Sequence, residues 1–327
     1  MESFKNHLME SGATLREALE RLDSLGRNGI VFIVSDDNTL RGSITDGDIR
    51  RALLKGVDLA HSVDEIYQSN PKTIQKGELD INKIIKYRES NIYIIPIVDQ
   101  DYRLVNIANL KELRSYLPID AVIMAGGKGT RLKPLTDQTP KPLLKVGGLP
   151  IIEHNINRLR LFGIDDFWIT LNYLGNQIED HLGNGLDKNV TISYVREKEP
   201  LGTIGSISLI NNLQQDYVLL TNSDILTNLD YEHFFLEFIN QDADLSVVTI
   251  PYTVKIPYAV METSNDLILG FKEKPTYTYY SNGGIYLMKR KVLELLPVNT
   301  FYNATDLMAA LIKSGKKVVS YPLMGYW

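Results

Sequence analysis

A glycine-rich run, AGGKGTRL at residues 125–132, follows a short apolar stretch and contains residue types suited to binding phosphate. Glycines let a backbone approach a phosphate closely and direct its N–H groups at the oxygens, and the Arg131 guanidinium adds a matching charge. The run is not a P-loop, because no Gly-Lys-Ser/Thr ends it, and Leu132 replaces the third glycine of a dinucleotide fingerprint. It therefore predicts a local phosphate site, with a plain tight connection as the alternative.

A carboxylate follows a second apolar stretch. Asp224 comes shortly after the run at 217–221, where a buried strand would end. Carboxylate oxygens are the ligands that Mg²⁺ prefers, so Asp224 is a candidate metal ligand. The alternative is a turn aspartate that opens the next loop. Because the chain has no cysteine and its histidines lack metal-ligand spacing, thiolate and histidine metal sites are not predicted.

These residues need a frame that brings their loops together. Strand-like runs alternate with helix-period segments at 121–124, 151–162, 167–171, 177–182, 191–194, 204–213 and 217–221. This alternation predicts an α/β fold with a Rossmann-like, mixed and largely parallel sheet that helices cover on both faces. Ligands in that architecture bind at the carboxyl ends of the strands, which is where both motifs fall.

The run at 126–154, GGKGTRLKPLTDQTPKPLLKVGGLPIIEH, strongly resembles the signature of sugar-1-phosphate nucleotidyltransferases, and further motifs of that family follow in order. The resemblance implies a nucleotidyltransferase domain over 119–327. It implies that the nucleoside triphosphate is held by Gly126, Gly127, Gly129, Thr130 and Arg131. It also implies that Lys141 contacts the phosphates near the reacting phosphorus and that Asp224 binds Mg²⁺. Such a reaction depends on positioning and charge neutralisation and needs no nucleophilic side chain.

The run EKEPLGT at 197–203 bears on the choice of base. In the family the glycine at the position of Gly202 contacts the base through its backbone. Uridylyl and thymidylyl members commonly place a glutamine where this chain has Glu197. A carboxylate accepts two hydrogen bonds, and guanine offers two adjacent donors, so the sequence favours GTP. The alternative is a solvated Glu197 with the backbone reading the base, and cytosine offers a single amino donor.

The sugar side of the site is predicted by later motifs. The run FKEKP at 271–275 resembles the family's EKP motif, which implies that Glu273 contacts sugar hydroxyls and Lys274 the sugar phosphate. Asn282 matches a family asparagine that also touches the sugar. Ala259 departs from the pattern, since the family usually has a glycine there that contacts the sugar through its backbone.

The family pattern near its end is Gly-Tyr-Trp followed two residues later by an aspartate that binds a second metal. This sequence stops at Trp327, directly after Gly325 and Tyr326. We therefore expect a truncated C-terminal end and poor turnover compared with a chain extended through that aspartate.

The N-terminal part contains an internal repeat. Residues 40–49, LRGSITDGDI, align with residues 104–113, and an apolar strand-like run precedes each copy. The arrangement predicts two helix–strand–turn–strand–helix units and resembles a tandem CBS (Bateman) pair, an α+β domain over residues 1–116. In that family Thr45 and Asp48 would bind the ribose or phosphates of an adenosine nucleotide; the alternative is that they cap the following helix. The second copy has Asn109 and Glu112 at these positions.

Composition excludes several classes of protein. Hydrophobic residues make up 44% and charged residues 23% of the 327, as in ordinary globular domains. The net charge of −5 argues against non-specific nucleic-acid binding. No apolar stretch is long enough for a membrane helix, and residues 1–12 lack the pattern of a secretory signal. We therefore expect a cytoplasmic protein with no nucleic-acid or membrane partner.

The leading interpretation is an enzyme that joins GTP and a hexose-1-phosphate into a GDP-sugar. The domain combination resembles the glucosamine-1-phosphate guanylyltransferases of bacterial legionaminic acid pathways. The alternatives are a mannose-1-phosphate or heptose-phosphate guanylyltransferase, a uridylyl- or cytidylyltransferase, and a nucleotide-sensing regulator whose transferase domain is inactive. Because CBS pairs commonly associate, we also expect a homodimer or higher homo-oligomer.

Overall fold

The structure is a computed structural model that describes residues 4–26, 29–77 and 81–327. Two three-stranded sheets and one seven-stranded sheet contain most of its strands, beside two small strand pairs. The strands are β1 (Leu8–Glu10), β2 (Ile30–Val34), β3 (Leu40–Thr45), β4 (Ile74–Gln75), β5 (Ile94–Val98), β6 (Leu104–Asn109), β7 (Ile119–Met124), β8 (Lys145–Val146), β9 (Leu149–Pro150), β10 (Asp166–Leu171), β11 (Thr191–Arg196), β12 (Tyr217–Asn222), β13 (Leu245–Lys255), β14 (Val260–Ser264), β15 (Leu267–Lys272), β16 (Thr276–Lys289) and β17 (Val318–Pro322). The α-helices are α1 (Leu15–Leu25), α2 (Asp46–Leu54), α3 (Ile81–Glu89), α4 (Ile151–Arg160), α5 (Gly175–Leu182), α6 (Tyr231–Asn240) and α7 (Ala304–Lys313).

The N-terminal repeat is present in the strand pairing. Ile30 lies opposite Thr45 in the β2–β3 pair, and Ile94 lies opposite Asn109 in the β5–β6 pair, so the register recurs after 64 residues. The two units pack on each other through a shared apolar cluster that includes Phe32. A pair of units buries apolar surface that neither could bury alone.

The second unit does not end in the helix that the repeat predicts. In the first unit α2 follows β3, whereas after β6 the chain makes only a turn, with the N–H groups of Glu112 and Leu113 both donating to Asn109 O at 2.9 Å. The Arg114 N–H then donates to Leu161 O, next to the larger sheet. The helix predicted to close the second unit is therefore wrong. At the point where its second turn would form, the backbone is already hydrogen-bonded to Leu161 in the next domain.

The large sheet has the strand order β11-β10-β7-β12-β16-β13-β17. Strands β11, β10, β7 and β12 run parallel, β16 is antiparallel to both of its neighbours, and β13 and β17 pair in parallel. The predicted mixed, largely parallel sheet is confirmed. The carboxyl ends of its four parallel strands meet at one edge, and the loops that follow them lie together there.

Apolar residues cover both faces of this sheet. Helices α4, α5 and α6 bury Ile156, Ile178 and Phe235 against one face, and α7 buries Leu307 against the other. The helix predicted over 204–213 is wrong, because only residues Gly205–Leu209 form a short 3-10 helix. The N–H groups at residues 204 and 205 both donate to one carbonyl, that of Tyr302, which fixes this backbone against a distant segment.

A two-stranded arm extends from the sheet. The outer halves of β13 and β16 pair from Thr249–Asn282 to Lys255–Thr276, and the hairpin β14–β15 continues beyond them. Most side chains of the arm are exposed on both faces.

Across the described ranges, no helix has both the length and the apolar character needed to cross a bilayer.

Candidate active site

A cavity of about 530 Å³ opens at the carboxyl ends of β7, β10, β11 and β12. Every residue that the sequence assigned to the triphosphate, the base or the metal lines this cavity. They are Gly126, Gly127, Gly129, Thr130, Arg131, Lys141, Glu197, Gly202 and Asp224. The sheet thus brings four separate stretches of sequence to one site, as strand ends in a parallel sheet must.

The glycine loop is held in place by contacts, which are tightest at Gly129. Gly129 has a φ of 60°, and a Cβ there would stand 3.0 Å from a methyl of Thr136 and 3.1 Å from the Lys141 Cβ. The Thr136 hydroxyl donates to Gly129 O at 2.9 Å, and Ala125 N–H donates to Thr170 O at 3.1 Å. The loop is therefore fixed to both Thr136 and β10. Such a loop presents backbone N–H groups to an anion without reorganising first.

Lys141 and Asp224 form an ion pair inside the cavity. Lys141 opens the 3-10 helix Lys141–Leu143, and Asp224 follows β12. The backbone at Ser223 is tied to the sheet, since its N–H donates to Met124 O at 3.2 Å and its carbonyl accepts from Asn155 Nδ2 at 3.1 Å. Both charged side chains remain about one-third exposed, so a ligand in the cavity can reach them.

The donors around Asp224 fit a hard divalent cation that shares its ligands with a substrate. Among the described residues, no group of three or more histidine, aspartate or glutamate side chains is placed to enclose a metal. Mg²⁺ is commonly held by one or two carboxylates together with substrate phosphates and water. Asp224 supplies one such carboxylate beside a loop built for phosphate, so the residues present fit that mode of binding.

Glu197 lies directly after β11, and its N–H donates to Leu171 O at 2.9 Å. One carboxylate oxygen accepts the Leu201 N–H at 3.3 Å. The other lies 3.5 Å from the position that a Cβ on Gly126 would take. Burial raises the pKa of Glu197, and hydrogen bonds, the first of them from Leu201, partly oppose that rise. The carboxylate therefore sits at the cavity wall, braced by its own loop.

A second segment closes the cavity beside Gly202. Residues 300–304 hold the 200–205 loop: Tyr302 N–H donates to Leu201 O at 2.9 Å, and Ala304 N–H donates to Thr203 Oγ1 at 2.8 Å. Phe301 in this segment lines the cavity. Sequence analysis missed Phe301, since a single phenylalanine in a loop about 100 residues away carries no motif.

The residues predicted for the sugar lie outside the cavity lining. Glu273 and Lys274 occupy the exposed turn between β15 and β16, on the arm. Asn282 lies on β16, where its side chain donates to the Tyr286 hydroxyl and accepts the Gly284 N–H, at 2.8 Å and 2.9 Å. Their assignment to the sugar therefore stays a prediction.

Thr45 and Asp48 form a capping box at the start of α2. The Asp48 N–H donates to Thr45 Oγ1 at 3.4 Å, and the Asp48 carboxylate accepts from the Thr45 N–H and hydroxyl. Burial alone would raise the pKa of Asp48, but these hydrogen bonds and the nearby Arg51 lower it overall. A Cβ on Gly42 would stand 2.2 Å from the Tyr67 ring, so the neighbouring space is filled. The contacts match the capping alternative.

A cavity of about 300 Å³, here called the junction cavity, opens where the two repeat units meet the large sheet. Its polar lining residues come from all three parts and include His7, Asn106, Asn109, Glu112, Tyr116, Arg160, Asp165 and Asn189. Asn106 Nδ2 and the Tyr116 hydroxyl donate to Asp165 at 2.7 Å and 3.2 Å. Lys76 pairs with Asp166 at 2.8 Å. Burial and the adjacent Asp166 raise the pKa of Asp165.

Two family models and several known proteins match parts of this chain. A family model described as nucleotidyl transferase matches residues 120–327, and one described as CBS domain matches residues 9–55. A mannose-1-phosphate guanylyltransferase of Mycobacterium tuberculosis is 30% identical over 64% of this chain and 60% of its own length. A glucose-1-phosphate adenylyltransferase of Clostridium perfringens is also 30% identical, over 64% of this chain and 61% of its own.

A solved structure shares the fold. A putative glucose-1-phosphate thymidylyltransferase from Bacillus anthracis, in complex with a sucrose, superposes with a TM-score of 0.51. It is 27% identical over 64% of this chain and 88% of its own. This chain spans about three-fifths of the length of the two curated relatives described above.

Proposed function

Because the chain belongs to the nucleotidyl transferase family and has a CBS domain near its N-terminus, we propose that it is a sugar-1-phosphate nucleotidyltransferase. It joins a nucleoside triphosphate, GTP by preference, to a hexose-1-phosphate and releases pyrophosphate. Glucosamine-1-phosphate is the favoured acceptor, which gives GDP-glucosamine, a product suited to legionaminic acid synthesis. The cavity that gathers the glycine loop, Lys141, Glu197 and Asp224 carries this proposal.

The side chains of the cavity can serve each step of the transfer. Backbone N–H groups of the glycine loop and the Arg131 guanidinium hold the phosphates, and Lys141 neutralises charge near the α-phosphorus. An oxygen of the sugar phosphate forms a bond to that phosphorus while the bond to the β-bridging oxygen breaks, and pyrophosphate leaves with the electron pair. No side chain has to take or give a proton. A divalent cation at Asp224, in our proposal Mg²⁺, supplies further positive charge to the phosphates when bound.

The proposed choice of GTP rests on Glu197. Its carboxylate lies beside Gly126, and the Leu201 N–H holds one oxygen in place. Guanine presents an N1–H and an amino group as adjacent donors, which a braced carboxylate can accept together. The guanylyltransferase relative supports this choice. The alternative substrates are ATP, which the adenylyltransferase relative supports, and pyrimidine nucleotides, which the similar thymidylyltransferase structure supports.

The sugar assignment combines three residues. Glu273 is proposed to bind sugar hydroxyls, Lys274 the sugar phosphate, and Asn282 a further hydroxyl. Asn282 precedes Gly284, which lies against Asn222, a residue of the cavity wall. Mannose-1-phosphate is the alternative acceptor, supported by the relative that acts on it.

The test is Mg²⁺-dependent pyrophosphate release with GTP, UTP, CTP, dTTP and ATP, each crossed with glucosamine-, N-acetylglucosamine-, mannose- and glucose-1-phosphate. Release with GTP and one sugar phosphate supports the reaction and the role of Glu197. Release with UTP alone keeps the enzyme class and overturns the argument about the base. No release with any pair, from protein that binds a nucleoside triphosphate, favours a nucleotide-sensing regulator instead.

We further propose that residues 1–116 form a regulatory and oligomerisation module for the transferase domain at 119–327, and that this module binds an adenosine nucleotide. The junction cavity favours this second role, because a ligand in it would contact both repeat units and the transferase sheet. Sequence analysis assigned the ligand to Thr45 and Asp48, while Asn109 and Glu112 line the cavity. Binding of ATP, ADP and AMP by Thr45→Ala and Asn109→Ala variants distinguishes the two positions.

The remaining partners follow from the same proposal. The proposed substrates are the nucleoside triphosphate and the hexose-1-phosphate, and we propose that the enzyme acts on them in the cytoplasm. A homodimer or higher homo-oligomer is proposed from the CBS resemblance. A single species of monomer mass in sedimentation would contradict it.

A further inference from the structure

The two ends of the nucleotide cavity differ in chemistry. One end holds the charged side chains of Arg131, Lys141 and Asp224. The other end is lined by Pro200, Gly202, Thr203 and Phe301, with Glu197 at its edge, and among these only Glu197 is charged. Since a nucleotide has a charged triphosphate and an uncharged base with flat faces and a polar edge, the second end is the one that fits the base.

Phe301 is the aromatic side chain at that end, and it is not buried in a core. It is 61% exposed, whereas the adjacent Tyr302 packs against the apolar cluster beneath α7. A large exposed phenylalanine gains little in the free protein, because its apolar surface stays in contact with water. Its apolar surface contributes binding energy only when a ligand with a flat face covers it.

The backbone around Phe301 is fixed. The Tyr302 carbonyl accepts N–H groups from Ile204 and Gly205 at 3.1 Å and 3.2 Å, and Tyr302 N–H donates to Leu201 O at 2.9 Å. A Cβ on Gly205 would stand 2.3 Å from Thr300 O, so the two segments touch. The backbone that carries Phe301 is thus fixed at the cavity wall next to Gly202 before any ligand binds, which lowers the entropy cost of using its ring.

We propose that Phe301 is the platform on which the nucleobase stacks. The inference rests on the proposed nucleotidyltransferase function and adds a binding residue that no motif contains. Stacking recognises the face of a base, while Glu197 recognises its edge. Phe301 therefore supplies affinity for any base, and more for the larger purines, whereas Glu197 selects among them.

The test measures equilibrium binding of GTP and of inorganic tripolyphosphate to the full chain, with Mg²⁺ and without a sugar phosphate. For Phe301→Ala we expect GTP affinity to fall by about tenfold or more, the range for loss of one base–aromatic stack. Tripolyphosphate has no base, so its affinity stays as in the wild type. Phe301→Trp keeps an aromatic ring at this position, so its GTP affinity stays close to that of the wild type. Val298→Ala is the matched control, because Val298 is an exposed apolar residue near the same segment that does not line the cavity.

The results distinguish failure of the stacking role from failure of the proposed function. Equal GTP affinity of Phe301→Ala and wild type overturns the stacking role and leaves the proposed function intact. An equal loss of GTP and tripolyphosphate binding also overturns it, because that result points to a general distortion of the cavity; Phe301→Leu, which keeps apolar bulk, repeats the comparison. A wild-type chain that binds no nucleoside triphosphate contradicts the proposed function itself.

Discussion

The large sheet has one cavity at the carboxyl ends of its parallel strands and another beside the amino end of β10, and the two cavities are built in different ways. At the carboxyl ends, loops present glycines, Lys141 and Asp224 to a space of about 530 Å³. At the amino ends, Asp165 lines the junction cavity, and Asp120 and Asp166 lie within the first residues of the strands. The first end presents charged side chains to a ligand, whereas at the second end Asp165 and Asp166 are paired with side chains of the protein itself.

The exposure of the ion pairs at the two ends indicates which charges can serve ligand binding and which stabilise the fold. At the loop end, Lys141 and Asp224 stay about one-third exposed and can exchange partners. At the amino ends, Lys76 and Asp166 are only 26% and 14% exposed, and they join the second repeat unit to the sheet. Changes at the first end should affect catalysis, and changes at the second should affect folding.

The largest expected effect is on catalysis. Lys141→Met removes the cation proposed to act beside the α-phosphorus, and we expect kcat for pyrophosphate release to fall by about 100-fold or more. Its thermal unfolding should change little, because the pair it breaks is partly exposed. Lys145→Met is the control, since Lys145 is exposed on β8 and does not line the cavity. Equal kcat for the two variants would contradict the assigned role.

The next effect lies at the junction. Lys76→Met leaves Asp166 without its partner in a largely buried place, and we expect about 2 kcal/mol lower free energy of unfolding in urea. Arg50→Met breaks the exposed pair with Asp46 and should cost less than about 0.5 kcal/mol. If both variants lose the same stability, the ion pair at Lys76 does not hold the two parts together.

A pH-dependent effect is expected at Asp120. Burial raises its pKa from 3.8 to about 6, although the Gln215 N–H donates to one oxygen and opposes the rise. Among the described residues its other carboxylate oxygen has no hydrogen-bond partner. The folded chain then holds this proton more tightly than the unfolded chain, so stability is lost as pH rises from about 4 to about 6.

Asp120→Asn cannot ionise and should escape that loss. Its free energy of unfolding relative to the wild type should therefore be higher at about pH 8 than at about pH 4, by about 2 kcal/mol. Chemical denaturation of both proteins at the two pH values measures this difference, in which other titrating groups cancel. A difference independent of pH would show that Asp120 does not titrate as described.

The smallest effect compares the two repeat units. Thr45→Ala removes the capping box of α2 and should cost about 1 kcal/mol of stability. Asn109→Ala occupies the matching position, where only a turn follows, and should change stability by less than about 0.5 kcal/mol. Thermal unfolding gives both values, and a reversed order would mean that the turn after β6 contributes more than the helix cap.

The sequence was most informative where the chemistry is local. The glycine loop follows directly after β7, so its residue types and its place at a strand end could be read together, whereas the role of Lys141 was implied by the family resemblance. Asp224 and Glu197 follow other parallel strands, and the topology then brings all of them to one edge. These assignments needed no knowledge of side-chain packing.

Other features depend on contacts between distant segments and could not be predicted. The helix expected over 204–213 is replaced by a short 3-10 turn, because the Tyr302 carbonyl captures two N–H groups of that segment. Phe301 reaches the cavity through the same contact. The second repeat unit loses its closing helix where the Arg114 N–H donates to Leu161 O, directly after α4. In each case a tertiary hydrogen bond overrides local propensity.

The most direct test of the central claim is phosphorus NMR of the chain incubated with GTP, glucosamine-1-phosphate and Mg²⁺. The account predicts the paired signals of a sugar-linked diphosphate together with free pyrophosphate, since the new bond forms at the α-phosphorus. Appearance of GDP and inorganic phosphate instead would show cleavage at the γ-phosphate and would contradict nucleotidyl transfer at this cavity.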